Sequence, residues 1–291
     1  MEFLRPAKAL NDKAIRQSLR QFPMGQAVDE LQSPISLESY LDHFYQWIGN
    51  SQRVRFSLSG AWVPTLVNGT TEAFFHFYLV HSQKRLIVCK GEYPFHRDCF
   101  TSLGRPWSWY QPGGLQEGDF AILSLPFSGN GGRHPQEKEF LQECEDKNIP
   151  LLIDLSFLGL GASVDLSFLN QLHCLQSLCF SFSKQFNIGR FRIGLHWTKD
   201  PKGPLEILRQ WNYHNWFSAL VTQHLMENFS FDYLYNTYRD RQLEICQKHN
   251  LEPSDSILFG LDQDQFPEFS RDGFINRLCI SPQLTEDSQN E

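Results

Sequence analysis

An α/β fold on a mainly parallel sheet is what this 291-residue chain predicts. Three observations point to it. Short apolar runs alternate with longer stretches of helical periodicity. The connecting helices are long enough for right-handed crossovers between parallel strands. Two of the apolar runs, "LLIDLSF" and "SLCFSFSK", end in ionisable side chains, Asp154 and Lys184. Ligands of open α/β sheets bind at the carboxyl ends of the strands.

The elements follow in order. Residues 1–50 form a polar, partly helical lead, in which "SLESYLDHFYQWI" has an N-cap serine at Ser36, an early Glu38 and apolar residues at helical spacing. "VRFSLSG" alternates as a strand. "VNGTTEAFFHFYLVHSQ" turns at Asn68-Gly69 and enters an aromatic-rich helix. "RLIVC" is a short buried strand that ends at "KGEYPFHRD", and "DFAILSLPF" is another, followed by the Gly-rich turn "SGNGGRHP". "PQEKEFLQECEDKN" starts with proline at a helix entrance and carries charges at i,i+4. After the strands that end at Asp154 and Lys184 the texture changes. Two long helices are expected over about 205–228 and 233–250, then short strands near 257–261 and 274–280. The expected division is a lead (1–50), a large domain (51–200) and a reduced α+β small domain (201–291), with the last ten residues frayed.

Composition narrows the function classes. Hydrophobic content of 41% and charged content of 20% are those of a globular chain. A net charge of −7 with no basic block argues against nucleic acid or an anionic membrane as partner. The seven cysteines are scattered, with no C-x-x-C, and read as reduced apolar residues with no disulfide framework or metal site. "MEFLRPAKALNDKAIRQ" lacks the apolar core of a signal peptide, and no window is long enough to span a membrane, so a cytoplasmic setting is expected.

Taken alone, Lys184 is more often a solvated loop lysine than a catalyst. As an amine held at low pKa, it could condense with an aldehyde. Ser181 and Arg192, three residues before and eight after, offer a hydroxyl and a guanidinium to a phosphate. Lysine beside a phosphate site is the pattern of pyridoxal phosphate, whose Schiff-base lysine is accompanied by an acid at the pyridinium nitrogen. Asp154, among apolar neighbours, suits that acid, although a turn or N-cap aspartate is the common alternative. Gly69, Thr70 and Thr71 at a helix start offer backbone N–H groups and hydroxyls to an anion, or simply cap a helix. Tyr93 could stack on a planar ring, or be an ordinary loop-edge aromatic.

"SFSKQFNIGRFRIG" resembles the Ser-x-Ser-Lys…Arg-x-Gly segment of the class I/II aminotransferases, the fold-type I enzymes that use pyridoxal phosphate. "NGTTEA", "GEYPFHRD", "LPFSGNGG", "LLIDLSF" and "FINRLCIS" stand in that family's order, from Val54 to Ser281. The resemblance implies an aminotransferase-like large domain. It also implies an enzyme that exchanges amino groups between an amino acid and a 2-oxo acid through a Lys184 Schiff base. Lys184 and Asp154 would be catalytic, with Asp154 at the pyridine nitrogen. Gly69, Thr70, Thr71, Ser181 and Arg192 would hold the phosphate, Tyr93 would stack on the ring, and Arg277 would clamp the substrate carboxylate. A homodimer is implied as well, with the "AFFHFYL" helix and the N-terminal lead as candidate interface.

The chain departs from the family in three respects. Ser128 stands where an asparagine is usual, with Asn130 two residues on as a candidate substitute. Phe157 replaces a tyrosine, and Arg190 replaces a frequent glycine. The chain is also short, compressed between Lys184 and Arg277. The same residues would serve decarboxylation or β-elimination. The alternative reading is an aminotransferase-fold protein that has lost turnover and serves in binding or regulation.

Overall fold

A computed structural model describes residues 3–285. Seven strands form the central sheet: β1 (Val63–Val67), β2 (Arg85–Val88), β3 (Trp107–Trp109), β4 (Asp119–Ser124), β5 (Leu151–Asp154), β6 (Leu175–Ser181) and β7 (Gly194–Thr198). Their spatial order is β1-β7-β6-β5-β4-β2-β3. All are parallel except β7, which pairs antiparallel with both β1 and β6. The fold class is therefore the one the sequence predicts.

Strand alternation splits the core into two layers. Phe120, Ile122, Leu152 and Cys179 face one side, where helices Thr70–Val80 and Phe95–Ser102 bring Phe74, Phe77 and Phe100. Ala121, Leu123, Ile153 and Phe180 face the other, with Phe44, Trp47, Phe182 and Phe231. Because both faces are covered, β4 and β5 are buried along their whole length, which is why they read as unbroken apolar runs. Helix Leu37–Gly49 begins as its sequence suggests, with Ser36 Oγ accepting the Ser39 N–H at 3.3 Å. It packs on helix Trp216–Asn228, and the Tyr40 hydroxyl lies 2.6 Å from that of Thr222.

Several expectations change. "VRFSLSG" supplies only Val54–Arg55, paired with Val164–Asp165 outside the central sheet. The sheet's edge is β1 instead, whose Pro64 hides it in the sequence. An edge strand tolerates proline because one row of its donors is unpaired anyway. The helix expected over 205–228 is two helices, Pro204–Gln210 and Trp216–Asn228. Asn212 turns between them at φ 55°, and the Asn215 side chain caps the second by accepting the Ser218 N–H at 3.1 Å. Helix Tyr233–Lys248 leads to a small antiparallel sheet of β8 (Glu252–Pro253), β9 (Phe259–Asp262) and β10 (Asn276–Cys279). Of the ten residues expected to fray, 286–291 lie outside the described residues, and the other four belong to helix Ser281–Thr285.

The N-terminal lead joins this small sheet. Leu4 and Cys279 exchange N–H···O bonds of 3.1 and 2.8 Å, so the lead pairs with β10 and runs on past the carboxyl ends of the central strands.

Candidate active site

A cavity of about 550 Å³ opens at those carboxyl ends. It is walled by the ends of β5 and β6, the loops after β2 and β4, the start of helix Thr70–Val80, β10 and the N-terminal lead. Nine of the ten residues singled out from the sequence line it: Thr70, Thr71, Tyr93, Ser128, Asp154, Ser181, Lys184, Arg192 and Arg277.

Asp154 is the last residue of β5 and is buried. Its Oδ1 accepts three donors: the Ser156 N–H at 3.0 Å, the Ser156 hydroxyl at 2.6 Å and the Cys179 thiol at 3.6 Å. Oδ2 accepts none among the described residues. Burial pushes this carboxyl above its ordinary range, opposed by Ser156 and by the charge of Lys184. The side chain is thus a carboxylate with one oxygen anchored and the other open.

Lys184 sits one short helical turn beyond β6, in Phe182–Gln185, and not at the strand end itself. The Ser181 hydroxyl starts that turn by accepting the Ser183 N–H at 3.2 Å. Lys184 makes no hydrogen bond or ion pair among the described residues, and its Nζ lies 4.6 Å from the centre of the Phe157 ring. Burial pulls its pKa down. Asp154 pulls it back up, and Arg277 and Arg192 push it lower. A lysine so placed holds a larger share of neutral, nucleophilic amine at neutral pH than a surface lysine.

Arg192 defines the opposite end. It adopts φ 54°, a left-handed conformation that costs a residue with a Cβ about 1–2 kcal/mol. From there its Nη2 donates to the Thr71 hydroxyl at 2.7 Å. Thr70 Oγ1 lies 3.3 Å from Ser156 Oγ, which joins the helix start to the Asp154 turn. Gly69 does not line the cavity, and its N–H is already bonded to Val67 O at 2.8 Å. The expected backbone donor there is therefore absent. Gly69 instead makes room: at φ 78°, a Cβ on it would stand 2.5 Å from Arg192 Nη2.

Arg277, on β10, is 2% exposed. It donates to the carbonyls of Ser128 and Arg5, the latter at 3.2 Å, and its Cζ lies 4.3 Å from the centre of the Phe259 ring. No carboxylate pairs with it, and its buried Nε has no partner among the described residues. Burial and the neighbouring Arg271 charge push it down to about 9, the mark of a cation short of an anion.

Asn130 does not stand in for the asparagine that Ser128 replaces. Its amide donates to Arg133 O at 2.8 Å and accepts the Gly132 N–H at 2.9 Å, both within its own loop. Phe157 fills its expected place with a ring packed edge-on against Phe259, 5.6 Å between centres. The Tyr93 ring lies parallel to Phe95, 5.8 Å away. Sequence reading missed Ser156, Arg271 and Arg5, which also line the cavity. Ser156 was legible as Asp-x-Ser, a turn in which the second side chain bonds the first. The two arginines carry no local signal, because tertiary contacts alone bring 5 and 271 to one cavity.

No protein-family profile matches the chain, and no curated protein matches it in sequence. Solved structures do match it in fold. The histidinol-phosphate aminotransferase of Clostridium acetobutylicum aligns over 98% of this chain and 98% of its own, at a TM-score of 0.64 and 13% identity. A PLP-bound C–S lyase of Staphylococcus hominis aligns over 98% and 88%, at 0.63 and 13%. The L-threonine-O-3-phosphate decarboxylase of Porphyromonas gingivalis aligns over 89% and 80%, at 0.59 and 14%. The chain thus has the fold of pyridoxal-phosphate enzymes. That fold carries three reaction types in these neighbours, so it does not by itself select one.

Proposed function

We propose that this protein is a pyridoxal-phosphate-dependent, aminotransferase-like enzyme that acts on an α-amino acid and a 2-oxo acid, with Lys184 as its reactive amine. One observation carries the reading. Within a single cavity, a partnerless, half-buried lysine stands beside a buried carboxylate whose second oxygen is open.

The residues present fit such a cofactor. Pyridoxal phosphate supplies an aldehyde that condenses with amines and a ring that accepts electrons when its nitrogen is protonated. Asp154 Oδ2 would accept that N–H, with Oδ1 fixed by Ser156. Thr70, Thr71, Ser181 and Arg192 hold the phosphate at the positive end of helix Thr70–Val80. Tyr93 covers the ring, and Ser128 lies on the wall where the family's asparagine stands. Arg277, buried without an anion, takes the substrate carboxylate and orients the Cα–H. Lys184 Nζ, kept low by burial, removes and returns the α-proton. Phe157 carries no hydroxyl, so it would offer such a cofactor no hydrogen bond.

A homodimer and a reduced small domain over 201–291 belong to the same proposal. Helix Thr70–Val80 buries Phe74 and Phe77 but leaves Phe75 and Leu79 exposed on a cleft they share with Pro204, Leu205 and Leu208, an apolar face suited to a second copy. A reducing cytoplasm suits seven cysteines that are all free. Among the described residues no helix is long and apolar enough to cross a membrane.

The test is borohydride reduction of the protein mixed with pyridoxal phosphate, followed by peptide mapping. The pyridoxyl group is expected on Lys184 and absent from Lys184→Ala. Label spread over surface lysines, unchanged in the variant, would refute the reading.

A further inference from the structure

The proposed reaction leaves one buried acid unused. Glu92 lies in the loop after β2, is 1% exposed and stands behind the cavity wall without lining it. Its place follows from the strands. The N–H groups of Ala121 and Leu125 bond across to the β5 side, at 2.8 Å to Pro150 O and 2.9 Å to Asp154 O, so that of Ser124 points the other way, toward β2. β2 has already ended at Val88, opposite Ile122. A buried N–H must find an acceptor, and the Glu92 carboxylate takes the absent strand's place.

Three donors converge on it. Oε1 accepts the Tyr93 N–H at 2.7 Å and the Ser124 hydroxyl, and Oε2 accepts the Ser124 N–H at 2.8 Å. The Ser124 hydroxyl in turn accepts the Ser128 N–H at 2.8 Å, and Ser128 O accepts Arg277. Both branches therefore end on the cavity, one at Tyr93 and the other at Ser128 and, through it, Arg277. An ionised carboxylate suits such a junction, because it accepts at both oxygens and carries no donor of its own. That choice costs stability. Burial pushes the Glu92 carboxyl up to about 7; the Ser124 and Tyr93 bonds oppose this, and the Asp154 charge adds to it. The other titratable or charged groups that feel it are Cys89, in its own loop, and Arg271, which donates to the Glu92 carbonyl at 3.4 Å. Once protonated, the acid's own O–H competes for the Ser124 hydroxyl, and the three donors can no longer all be kept.

We propose that Glu92 is a positioning residue: its ionised carboxylate ties the Tyr93 loop to the turn after β4, and so holds Tyr93 and Ser128 where a bound cofactor meets them. This rests on the function proposed above. Glutamine in its place keeps the Ser124 N–H on its oxygen and turns its amide to the Ser124 hydroxyl, which leaves the Tyr93 N–H without an acceptor.

The experiment compares Glu92→Gln with the wild type between about pH 5.5 and 8.5, by absorbance titration with pyridoxal phosphate, by melting, and by amide hydrogen exchange of the cofactor-free protein. At about pH 8 the variant's Kd is expected to be about five- to tenfold above the wild type's, the effect of one lost hydrogen bond in a buried site. At about pH 6 the wild-type carboxyl is itself mostly protonated, so the ratio should fall to near one. Melting should run the other way. A carboxyl with a raised pKa costs stability once pH exceeds its ordinary range, near 4.3, and the cost levels off above about 7. The variant's Tm relative to the wild type should therefore rise from about pH 5.5 to 7. A residue that only stabilises the fold would move affinity and Tm in the same sense. A Kd ratio that is constant across pH, or a variant that loses both affinity and Tm most at high pH, would overturn the proposal. Hydrogen exchange separates this failure from failure of the underlying reading. The Tyr93 amide should exchange faster in Glu92→Gln at about pH 8, and Ser124→Ala should speed the Ser128 amide instead. Those shifts support the tie even if the wild type takes no pyridoxal phosphate on Lys184, and unchanged amides overturn it.

Discussion

Asp154→Asn separates the roles of the two carboxylate oxygens. Asparagine keeps an oxygen at the Oδ1 position, so the Ser156 N–H (3.0 Å), the Ser156 hydroxyl (2.6 Å) and the Cys179 thiol (3.6 Å) retain their acceptor. The loss is confined to the charge and to the open Oδ2. Burial already disfavours that charge in the free protein, so the variant is expected to melt at the same temperature or higher. The missing bond to a protonated ring nitrogen is charge-assisted and worth about 1.5–3 kcal/mol. That converts to a rise of about 10- to 150-fold in the Kd for pyridoxal phosphate. Lys184 offers a second readout, since Asp154 is what holds its pKa up against burial. Without the carboxylate, the pH at which Lys184 becomes reactive moves down. The assays are thermal melting, absorbance titration with pyridoxal phosphate and the pH dependence of borohydride trapping. An unchanged Kd, or a large fall in Tm with binding intact, would refute the assignment and make Asp154 a turn residue.

Three further outcomes are expected. Gly69→Ala places a methyl 2.5 Å from Arg192 Nη2 at φ 78°, so it should lower stability by about 1–2 kcal/mol and weaken cofactor binding, read by melting and titration. Phe157→Tyr adds a hydroxyl to a ring 4.6 Å from Lys184 Nζ and should tighten cofactor binding by about tenfold, whereas Phe157→Leu should not; a Kd series distinguishes them. Buried neutral histidines set the acid limit: His81 and His134 are pushed down to about 4, and His96 to about 3, mainly by burial. Lowered pKa values stabilise the fold above the ordinary histidine range, near 6.5, and that stability drains away as pH falls towards 4 and below. Tm should decline steadily from pH 6.5 downward, and a flat profile between 7 and 4 would contradict this.

Most of the central sheet was legible because its strands are buried on both faces and read as pure apolar runs bounded by turns. β1 and β3 were not, for opposite reasons. Pro64 breaks the pattern of β1, and β3 is a three-residue edge, Trp107–Trp109, too short to show a period. β7 escaped too, as an antiparallel return that no crossover helix announces. At the candidate site, two of the side chains that meet in the cavity carry a distinctive local pattern: an acid closing an apolar run, and a lysine between a serine and an arginine. Gly69 shows a steric feature that no sequence window carries: its N–H is taken by Val67 O, and its missing Cβ makes room for Arg192. Lys184 was placed one short turn too early, because Ser181 caps a helical turn that four residues are too few to reveal. Arg5 and Arg271 lie 266 positions apart, and no window of sequence relates them.

The pairing of Leu4 with Cys279 has a consequence for the order in which the molecule is built. During synthesis the lead emerges before the central sheet, but its partner strand and Arg277 follow that sheet, when it is already available to fold. A nascent chain can therefore hold Asp154 and Lys184 in place while the wall beside them is still missing. Contacts so distant in sequence form late. Lys184 spends that interval on an open platform, and only the arrival of β10 turns the platform into a chamber.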